Sequence, residues 1–249
     1  MYYEVHGEPR PGRAPLLLVH GGGSTIESNF GELIPLLAGS RQLVGVEEQG
    51  HGHTAAIDRP YTLENSADDI DAVLEQLQVP RADVLGFSSG AGVALRLAMR
   101  HPSRVRRLIV ASTFYRRDGL ADGFWEAIRN ASMESMPQAL KDADRKINPD
   151  PRHLQQLFEQ DSERTRAFED WPDAELHAVK APTLVLIADQ DIVTPEHAAR
   201  MVRAIPGARL MVVPGNHGNY LGELASSGGD TSLLRATLPF LTRFLDEDA

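Results

Sequence analysis

The chain contains no cysteine among its 249 residues. This absence excludes disulfide bonds, thiolate metal sites and cysteine nucleophiles together, and it fits a reducing compartment. Basic residues are outnumbered as well: 25 lysines and arginines stand against 35 aspartates and glutamates, so the formal net charge is −10. Because an acidic surface repels phosphate, we expect neither a general nucleic-acid binder nor a polybasic membrane-surface protein.

Long hydrophobic runs are also absent. The longest fully apolar stretches, such as Leu16–Val19 and residues 184–188, are far shorter than the roughly 20 residues that cross a bilayer. The first residues show no basic region followed by an apolar stretch, so no signal peptide is predicted. The apolar fraction of 42% and the charged fraction of 24% are ordinary for a globular protein, and we expect a cytoplasmic one.

Short apolar runs rich in Val, Ile and Leu recur along the chain. Uninterrupted runs of this length are typical of strands that are buried on both faces of a parallel sheet. A more exposed edge strand is predicted over Tyr2–His6, which gives about seven strands in all. The six buried runs cover residues 16–20, 43–47, 83–87, 108–112, 183–188 and 210–213.

Helical patterns with recognisable start and stop signals separate these runs. Thr62 is placed to cap a helix over residues 63–77, and Thr194, followed by Pro195, is placed to cap another that ends near residue 204. Helices are also predicted over Ser89–Arg100 and over residues 231–245, where Pro239 predicts a kink or a late start. This alternation predicts an α/β fold with a mostly parallel central sheet flanked by helices.

Residues 115–180 interrupt the alternation. They show no strand pattern, they hold both tryptophans, and prolines divide them into short helices. Such an insertion either only covers part of the sheet or forms a cap over a pocket at the carboxyl ends of the strands, where α/β proteins bind ligands. We predict a core of residues 1–114 and 181–249, with a small helical cap over residues 115–180.

The strongest local motif is Gly86-Phe87-Ser88-Ser89-Gly90, between a predicted strand and a predicted helix. A sharp strand-to-helix turn crowds the positions two before and two after its apex, and glycine relieves that crowding. The apex side chain then stands at a helix N-terminus, which favours developing negative charge. Ser88 is therefore the predicted nucleophile, whereas Ser89 is one residue off the glycine spacing.

A glycine-rich turn, His20-Gly21-Gly22-Gly23, follows another predicted strand. Backbone N–H groups can stabilise the oxyanion of acyl transfer, and glycine lets the backbone approach closely. We expect Gly22 and Ser89 to supply the two donors, with Gly23 as the near alternative to Gly22. The alternative interpretation is that this turn is only a flexible link to the next helix and has no role in catalysis.

A serine nucleophile needs a base, and the base needs an acid that orients it. His217 follows the last predicted strand and is the preferred base, because His177 and His197 lie at less suitable places. Asp191 follows the preceding strand and is preferred over Asp189, which is expected to brace the turn. Both choices place their side chains at strand ends, where they can converge on Ser88.

Taken together, these motifs resemble those of the α/β-hydrolase fold superfamily over essentially the full chain. The resemblance implies a helical cap late in the sheet and an esterase-like mechanism without a cofactor. One segment departs from many relatives: Glu47-Glu48-Gln49-Gly50-His51-Gly52-His53-Thr54 keeps two glycines but has a longer acid and no arginine. We interpret it as a structural loop variant, and no metal site is predicted because His51 and His53 have no third ligand nearby.

The serine at position 88 argues against two classes of relative. The resemblance implies that haloalkane dehalogenases and epoxide hydrolases of this fold carry an aspartate at that position. We predict a carboxylesterase that cleaves small or medium esters through an acyl-enzyme, with a lactonase, for example for acyl-homoserine lactones, as the alternative. Carbon–carbon bond hydrolases, perhydrolases and a hydrolase-fold receptor are less favoured, and no pattern indicates an oligomeric state. Candidate pocket residues, which could instead only pack the cap helices together, are Phe87, Tyr115, Trp125, Met133, Met136, Phe158 and Trp171.

Overall fold

A computed structural model describes residues 1–247, which are built around a seven-stranded sheet. The spatial order of the strands is β1-β3-β2-β4-β5-β6-β7; β1 runs antiparallel to β3, and every other neighbouring pair is parallel. The predicted fold class and its edge strand are thus confirmed. The strands are β1 (Tyr2–His6), β2 (Leu16–Val19), β3 (Leu43–Glu47), β4 (Ala82–Phe87), β5 (Val105–Ala111), β6 (Thr183–Gln190) and β7 (Arg209–Asn216).

Helices connect the strands and cover both faces of the sheet. Thr62 and Thr194 cap α3 and α9 as predicted, since each side-chain oxygen accepts a hydrogen bond from the backbone N–H three residues later. The helices are α1 (Ile26–Phe30), α2 (Ile34–Leu37), α3 (Leu63–Gln76), α4 (Ser89–Arg100), α5 (Phe124–Arg129), α6 (Gln138–Ile147), α7 (Pro151–Arg166), α8 (Asp173–Leu176), α9 (Pro195–Ala204), α10 (Leu224–Ser227) and α11 (Ser232–Asp246).

The core lies in two layers, one on each face of the sheet. Leu17 and Val19 of β2 belong to a buried cluster that contains the apolar faces of α3, α4 and α9. Their neighbours Leu16 and Leu18 belong to a second cluster, which contains α1, α2 and α11. Successive side chains of a strand point to opposite faces, so an unbroken apolar run is what a strand between two helical layers requires.

Two elements differ from their predicted form. β7 extends over eight residues and is half exposed, with Leu210 and Val212 at 40% and 44% exposure, because it is an edge strand and its outer face is only partly covered. α11 includes Pro239 within its range rather than starting after it. The apolar composition of β7 gave no indication of its place at the edge.

The chain between β5 and β6, residues 112–182, is named here the β5–β6 segment. It contains α5 to α8 and no strand, and part of it packs around a small separate cluster of buried apolar residues. The division into a core and a cap at residues 115 and 180 stays a prediction. Among the helices of residues 1–247, none combines the length and apolar character that a membrane span requires.

Candidate active site

Ser88 lies at the tight turn between β4 and α4, with φ 53° and ψ −121°. Side-chain-bearing residues rarely adopt this conformation, which costs on the order of 1–3 kcal/mol. A Cβ on Gly86 would come within 2.5 Å of the Gly90 carbonyl oxygen, and one on Gly90 would overlap the carbonyl oxygen of His20. Both glycines are therefore needed for the chain to turn this sharply and leave the serine hydroxyl above the sheet edge.

His217 connects Ser88 to Asp191. Its Nε2 lies 3.1 Å from the Ser88 hydroxyl oxygen, and its Nδ1 lies 2.7 Å from Oδ1 of Asp191. Asp191 directly follows β6 and His217 directly follows β7, so the carboxyl ends of parallel strands bring the three side chains together. Asp189, which was expected to brace the turn after β6, instead links β6 to β7, because its carboxylate accepts the Gly215 N–H at 2.8 Å.

The carboxylate of Asp191 is buried and held by several donors. It accepts hydrogen bonds from the Ser112 hydroxyl and, at 3.3 Å, from the Val193 N–H. Burial would raise the pKa of Asp191, but the hydrogen bonds and the charge of His217 outweigh it and hold the pKa below its ordinary value. An ionised Asp191 can fix the imidazole tautomer that leaves Nε2 free to accept a proton.

Ser112 and Tyr220 support this carboxylate, and neither was predicted from the sequence. The two hydroxyls are hydrogen-bonded to each other, and both residues are buried. Ser112 has φ 51°, so the chain bends sharply just after β5 to bring its hydroxyl beneath Asp191. A serine at a strand end and a tyrosine near the candidate base are too common to be chosen from sequence alone.

The turn that follows β2 is held on both sides of Gly22. The Gly21 N–H donates to the Asn29 side chain and the Gly23 N–H donates to Asp161, both at 2.5 Å. Within residues 1–247, neither the Gly22 N–H nor the Ser89 N–H donates a hydrogen bond to the protein. Both Gly22 and Ser89 line the same cavity as Ser88, whereas the alternative donor, Gly23, is already engaged.

A cavity of about 500 Å³ opens above Ser88, between the sheet edge and the β5–β6 segment. Its volume is within the range of small-molecule sites. Ser112 and Arg164 also reach it, and its apolar wall consists largely of Leu63, Phe114, Phe124, Phe168, Trp171, Ile192 and Val193.

The seven candidate pocket residues lie in different places, and only Trp171 lines this cavity. Phe87 instead packs against the ring of His217, with centroids 4.8 Å apart, and Tyr115 is fully buried against His197. Trp125 stacks on the Arg117 guanidinium at 3.5 Å. The other three pack around the cluster of Leu140, Leu154 and Leu157 in the β5–β6 segment; they are Met133, Met136 and Phe158.

Residue type alone could not make this distinction, because aromatic and methionine side chains serve cores and pockets equally. Phe114 forms edge-on ring contacts with Phe168 and Phe124, with centroids 4.7 Å and 6.4 Å apart, and all three line the cavity. The direction of each side chain depends on how the short helices of the β5–β6 segment pack, which the sequence pattern does not fix.

A second network of buried ionisable side chains adjoins the cavity. Arg164 donates to the Glu48 carboxylate at 2.9 Å and to the Ser89 hydroxyl, while Asp161 lies 3.1 Å from Nε2 of His51. Burial would raise the pKa of Glu48, but the nearby charge of Arg164 outweighs it and lowers the pKa. Burial would lower the pKa of His51, but the charge of Asp161 and its hydrogen bond raise it.

This network also shows what residues 47–54 do. Glu47 accepts the His53 N–H at 2.7 Å, which stabilises the loop internally. Glu48 pairs with Arg164, which connects the loop to the β5–β6 segment. His51 and His53 pair with different carboxylates. No group of three or more His, Asp or Glu side chains among the described residues is arranged to hold a metal ion.

Asp161 and Arg164 were missed, although the sequence carried a signal for them. They continue the helical spacing of the buried residues Leu154 and Leu157 along α7. Charged residues in the apolar stripe of an amphipathic helix are expensive to bury unless they are paired. A charged pair at this spacing therefore indicates a buried contact.

Comparison with known proteins identifies the fold. A sequence profile described as alpha/beta hydrolase fold matches residues 14–136. The 2-hydroxymuconate semialdehyde hydrolase of Pseudomonas sp. (strain CF600) is 38% identical over 99 residues, which are 39% of this chain and 35% of that protein. The pimeloyl-[acyl-carrier protein] methyl ester esterase of Neisseria meningitidis (strain FAM18) is 29% identical over 219 residues, 79% of this chain and 83% of that protein.

A solved structure extends the likeness across the molecule. Est816, an N-acyl homoserine lactone degrading enzyme, is 25% identical and superposes with a TM-score of 0.70, covering 94% of this chain and 95% of that one. With its seven-stranded sheet and matching profile, the chain belongs to the α/β-hydrolase fold superfamily. The first two of these relatives are a hydrolase and an esterase, and this chain shares their fold.

Proposed function

We propose that the protein is a serine hydrolase that cleaves carboxylic esters of small or medium molecules through an acyl-enzyme. The observation that carries this proposal is the position of His217, with Nε2 3.1 Å from the Ser88 hydroxyl and Nδ1 2.7 Å from Asp191. An imidazole between a hydroxyl and a buried carboxylate is suited to move one proton in each direction during acyl transfer.

In the acylation step, Nε2 of His217 takes the Ser88 proton while the serine oxygen attacks the ester carbonyl carbon. The carbonyl oxygen becomes negatively charged and accepts hydrogen bonds from the N–H groups of Gly22 and Ser89. The imidazolium then gives its proton to the leaving alcohol as the ester C–O bond breaks. Asp191 remains ionised throughout and stabilises the imidazolium.

In the deacylation step, water takes the place of the serine hydroxyl. His217 removes a proton from the water, and the resulting hydroxide attacks the acyl carbonyl carbon. The tetrahedral intermediate uses the same two N–H donors, and the Ser88 oxygen leaves with the proton held by His217. The products are the free acid and the original enzyme, so no cofactor enters the balance.

The β5–β6 segment acts in this proposal as a cap over the reacting groups. It contributes the aromatic side of the cavity through Phe124, Phe168 and Trp171. A volume of about 500 Å³ with an aromatic wall suits a compact acyl or alkoxy group.

A lactone is the second candidate substrate, because it is an internal ester and needs the same groups. The likeness to Est816, at 25% identity over nearly the whole chain, specifically favours it. The likeness to the pimeloyl methyl ester esterase supports the open ester.

Hydrolysis of p-nitrophenyl esters of increasing acyl length, with matched lactones, tests the proposal in the wild type and in Ser88→Ala. We expect turnover on the short and medium esters that is lost in the variant, with the length optimum set by the cavity. Lactones that react faster than the matched open esters would make the lactonase the better description. Equal rates in both proteins would remove Ser88 from the mechanism.

A further inference from the structure

Helix α7 of the β5–β6 segment contacts both backbone elements that carry the proposed oxyanion donors. Asp161 accepts the N–H of Gly23, next to Gly22, at 2.5 Å. Arg164, one turn later on the same helix face, donates to the Ser89 hydroxyl and to Glu48 at 2.9 Å. One turn of one helix therefore reaches the two separate segments, after β2 and after β4, that contribute Gly22 and Ser89 to the cavity lining.

These contacts are made by buried charges, so they are not replaceable by solvent. The side chains of Arg164 and Asp161 are 9% and 17% exposed, and those of Glu48 and His51 are fully buried. Removing one partner from a buried pair leaves the other charge uncompensated. The guanidinium also lies 3.8 Å above the Tyr61 ring, which fixes the plane of its hydrogen-bonding fork.

The contact of Asp161 with the glycine turn after β2 differs from an ordinary contact between a helix and the core, because it fixes a backbone group next to a proposed oxyanion donor. Gly21 is held by Asn29 and Gly23 is held by Asp161, and the Gly22 N–H between them has no acceptor among residues 1–247. With both neighbours fixed, the direction of the middle N–H is fixed as well. Asn29 belongs to the core, whereas the hydrogen bond from Asp161 ties this turn to the β5–β6 segment.

We propose that Asp161 and Arg164 are positioning residues that couple the placement of the β5–β6 segment to the assembly of the oxyanion hole. This inference rests on the proposed serine hydrolase function. When α7 packs against the core, Asp161 binds the Gly23 N–H and thereby orients the neighbouring Gly22 N–H. Arg164 binds the Ser89 hydroxyl and thereby holds the first turn of α4, which carries the Ser89 N–H. When α7 moves away, both donors lose an anchor together, so stabilisation of the transition state depends on closure over the substrate.

The alternative is that the network only fastens α7 to the core. Fastening alone would change stability and substrate affinity, whereas positioning of the donors changes the chemical step. The two are separated by comparing kcat with KM and by measuring inhibition by 2,2,2-trifluoroacetophenone. The serine adduct of this ketone carries an oxyanion and therefore uses the same two N–H groups.

Asp161→Ala and Asp161→Asn form the central comparison, with p-nitrophenyl butyrate as the substrate. Alanine cannot accept the Gly23 N–H, so we expect kcat to fall about 10- to 100-fold with KM changed less than about 3-fold. The ketone inhibition constant should rise in proportion to the fall in kcat. Asparagine retains an acceptor oxygen and should keep kcat within about 5-fold of wild type.

Two further variants complete the experiment. Gln160→Ala removes a neighbouring contact of α7 with the core, from its side-chain amide to the Gln49 carbonyl oxygen at 2.9 Å, and leaves the glycine turn untouched. It should retain the kcat of wild type. Ser89→Ala keeps the backbone N–H but removes the hydroxyl that Arg164 holds, and it should lower kcat and weaken ketone inhibition together.

The proposed function is judged first, from wild-type turnover and its loss in Ser88→Ala. If wild type is active and Asp161→Ala changes only KM or the melting temperature, the positioning role is wrong while the function stands. Equal loss in Asp161→Ala, Asp161→Asn and Gln160→Ala would also overturn it. If Asp161→Ala does not fold, the asparagine and Ser89→Ala variants decide through their kcat and ketone inhibition.

Discussion

At the scale of single residues, Asp191 shows how position determines chemical role. Its carboxylate accepts hydrogen bonds from His217, Ser112 and the Val193 N–H, and these lower its pKa despite its burial. Asp189, two residues earlier and still in β6, is exposed, and its carboxylate accepts the N–H of Gly215 in β7. Two aspartates at the end of one strand thus make different contacts, because only the carboxylate of Asp191 points back toward the imidazole.

Asp191→Asn is expected to keep the fold and lose most of the activity. The asparagine amide is nearly the same size, but it can present a donor to Nδ1 and so favour the wrong imidazole tautomer. We expect kcat to fall about 10³- to 10⁴-fold, measured as initial rates on p-nitrophenyl butyrate. A variant within about 5-fold of wild type would show that His217 is oriented by another group.

Gly90→Ala tests the steric requirement of the turn at Ser88. The added Cβ would overlap the carbonyl oxygens of His20 and Val19, which belong to the neighbouring strand and its turn and cannot easily shift. We expect a loss of at least about 2 kcal/mol in the free energy of unfolding, measured in urea.

Gly39→Ala is the matched control, because nothing lies within 4 Å of a Cβ at that position. It should change the free energy of unfolding by less than about 0.5 kcal/mol. Equal effects of the two substitutions would mean that the turn has room for a side chain.

Much of the candidate site was accessible from sequence at this scale. The spacing of Gly86 and Gly90 around Ser88 has one simple steric explanation, and the structure supplies the overlaps that it implies. Ser112 could not be chosen, since its hydroxyl acts through hydrogen bonds to Asp191 and Tyr220, which lie 79 and 108 residues away along the chain. Such contacts leave no local pattern.

At the scale of elements, agreement was best where a local signal set both ends. The predicted ranges of α4 and α9 coincide with the observed ones, because the glycine turn and the Thr194 cap fix their starts. β5 begins three residues earlier than predicted, since Arg106 lies within the strand and bonds Asp83 at 2.7 Å. Charged residues at the start of a strand interrupt the apolar run, so a prediction from apolar runs places the start of the strand too late.

Helix α9 carries a buried histidine that makes stability depend on pH. His197 is 4% exposed and lies with Nε2 3.2 Å from the Tyr115 N–H, which it accepts. Burial lowers the pKa of His197 to about 4. The unfolded chain therefore binds a proton between about pH 6.5 and 4 that the folded chain does not, so this stabilisation is complete above that window and is lost as the pH falls through it.

Urea unfolding of wild type and His197→Gln at pH 7 and pH 4 tests this. Glutamine offers an acceptor oxygen for the Tyr115 N–H but does not titrate. Wild type should lose about 3 kcal/mol more of its free energy of unfolding than the variant over this range, because the pKa of His197 is about 6.5 in the unfolded chain and about 4 in the folded one. Parallel losses would mean that the histidine is protonated in the folded protein.

At the scale of the whole molecule, the formal net charge is −10, and the lining of the cavity is also net acidic. The lining contains four acidic residues and two arginines, and each arginine is already paired: Arg96 with Glu64 at 2.8 Å, and Arg164 with Glu48 at 2.9 Å. The acidic lining residues are Glu64, Glu169, Asp170 and Glu175. A substrate carboxylate would therefore enter a negative cavity whose cations are occupied.

Neutral esters are accordingly expected to be better substrates than anionic ones of the same size. We expect kcat/KM for p-nitrophenyl butyrate to exceed that for mono-p-nitrophenyl succinate at least about 10-fold, since an unpaired charge is costly to desolvate. Added salt should narrow the ratio. Glu175→Gln should narrow it as well, whereas Glu8→Gln, an equal charge change at an exposed site, should not. A preference for the succinate would contradict the charge argument.

The central claim is that Ser88 is the nucleophile, and peptide mass spectrometry after reaction with a fluorophosphonate tests it most directly. The account predicts one covalent phosphonyl group, on Ser88, in the wild type and none in Ser88→Ala. It also predicts much slower labelling in Asp191→Asn, because His217 would no longer be held as a base. A label on Ser89, or none on a wild type that hydrolyses esters, would contradict the account.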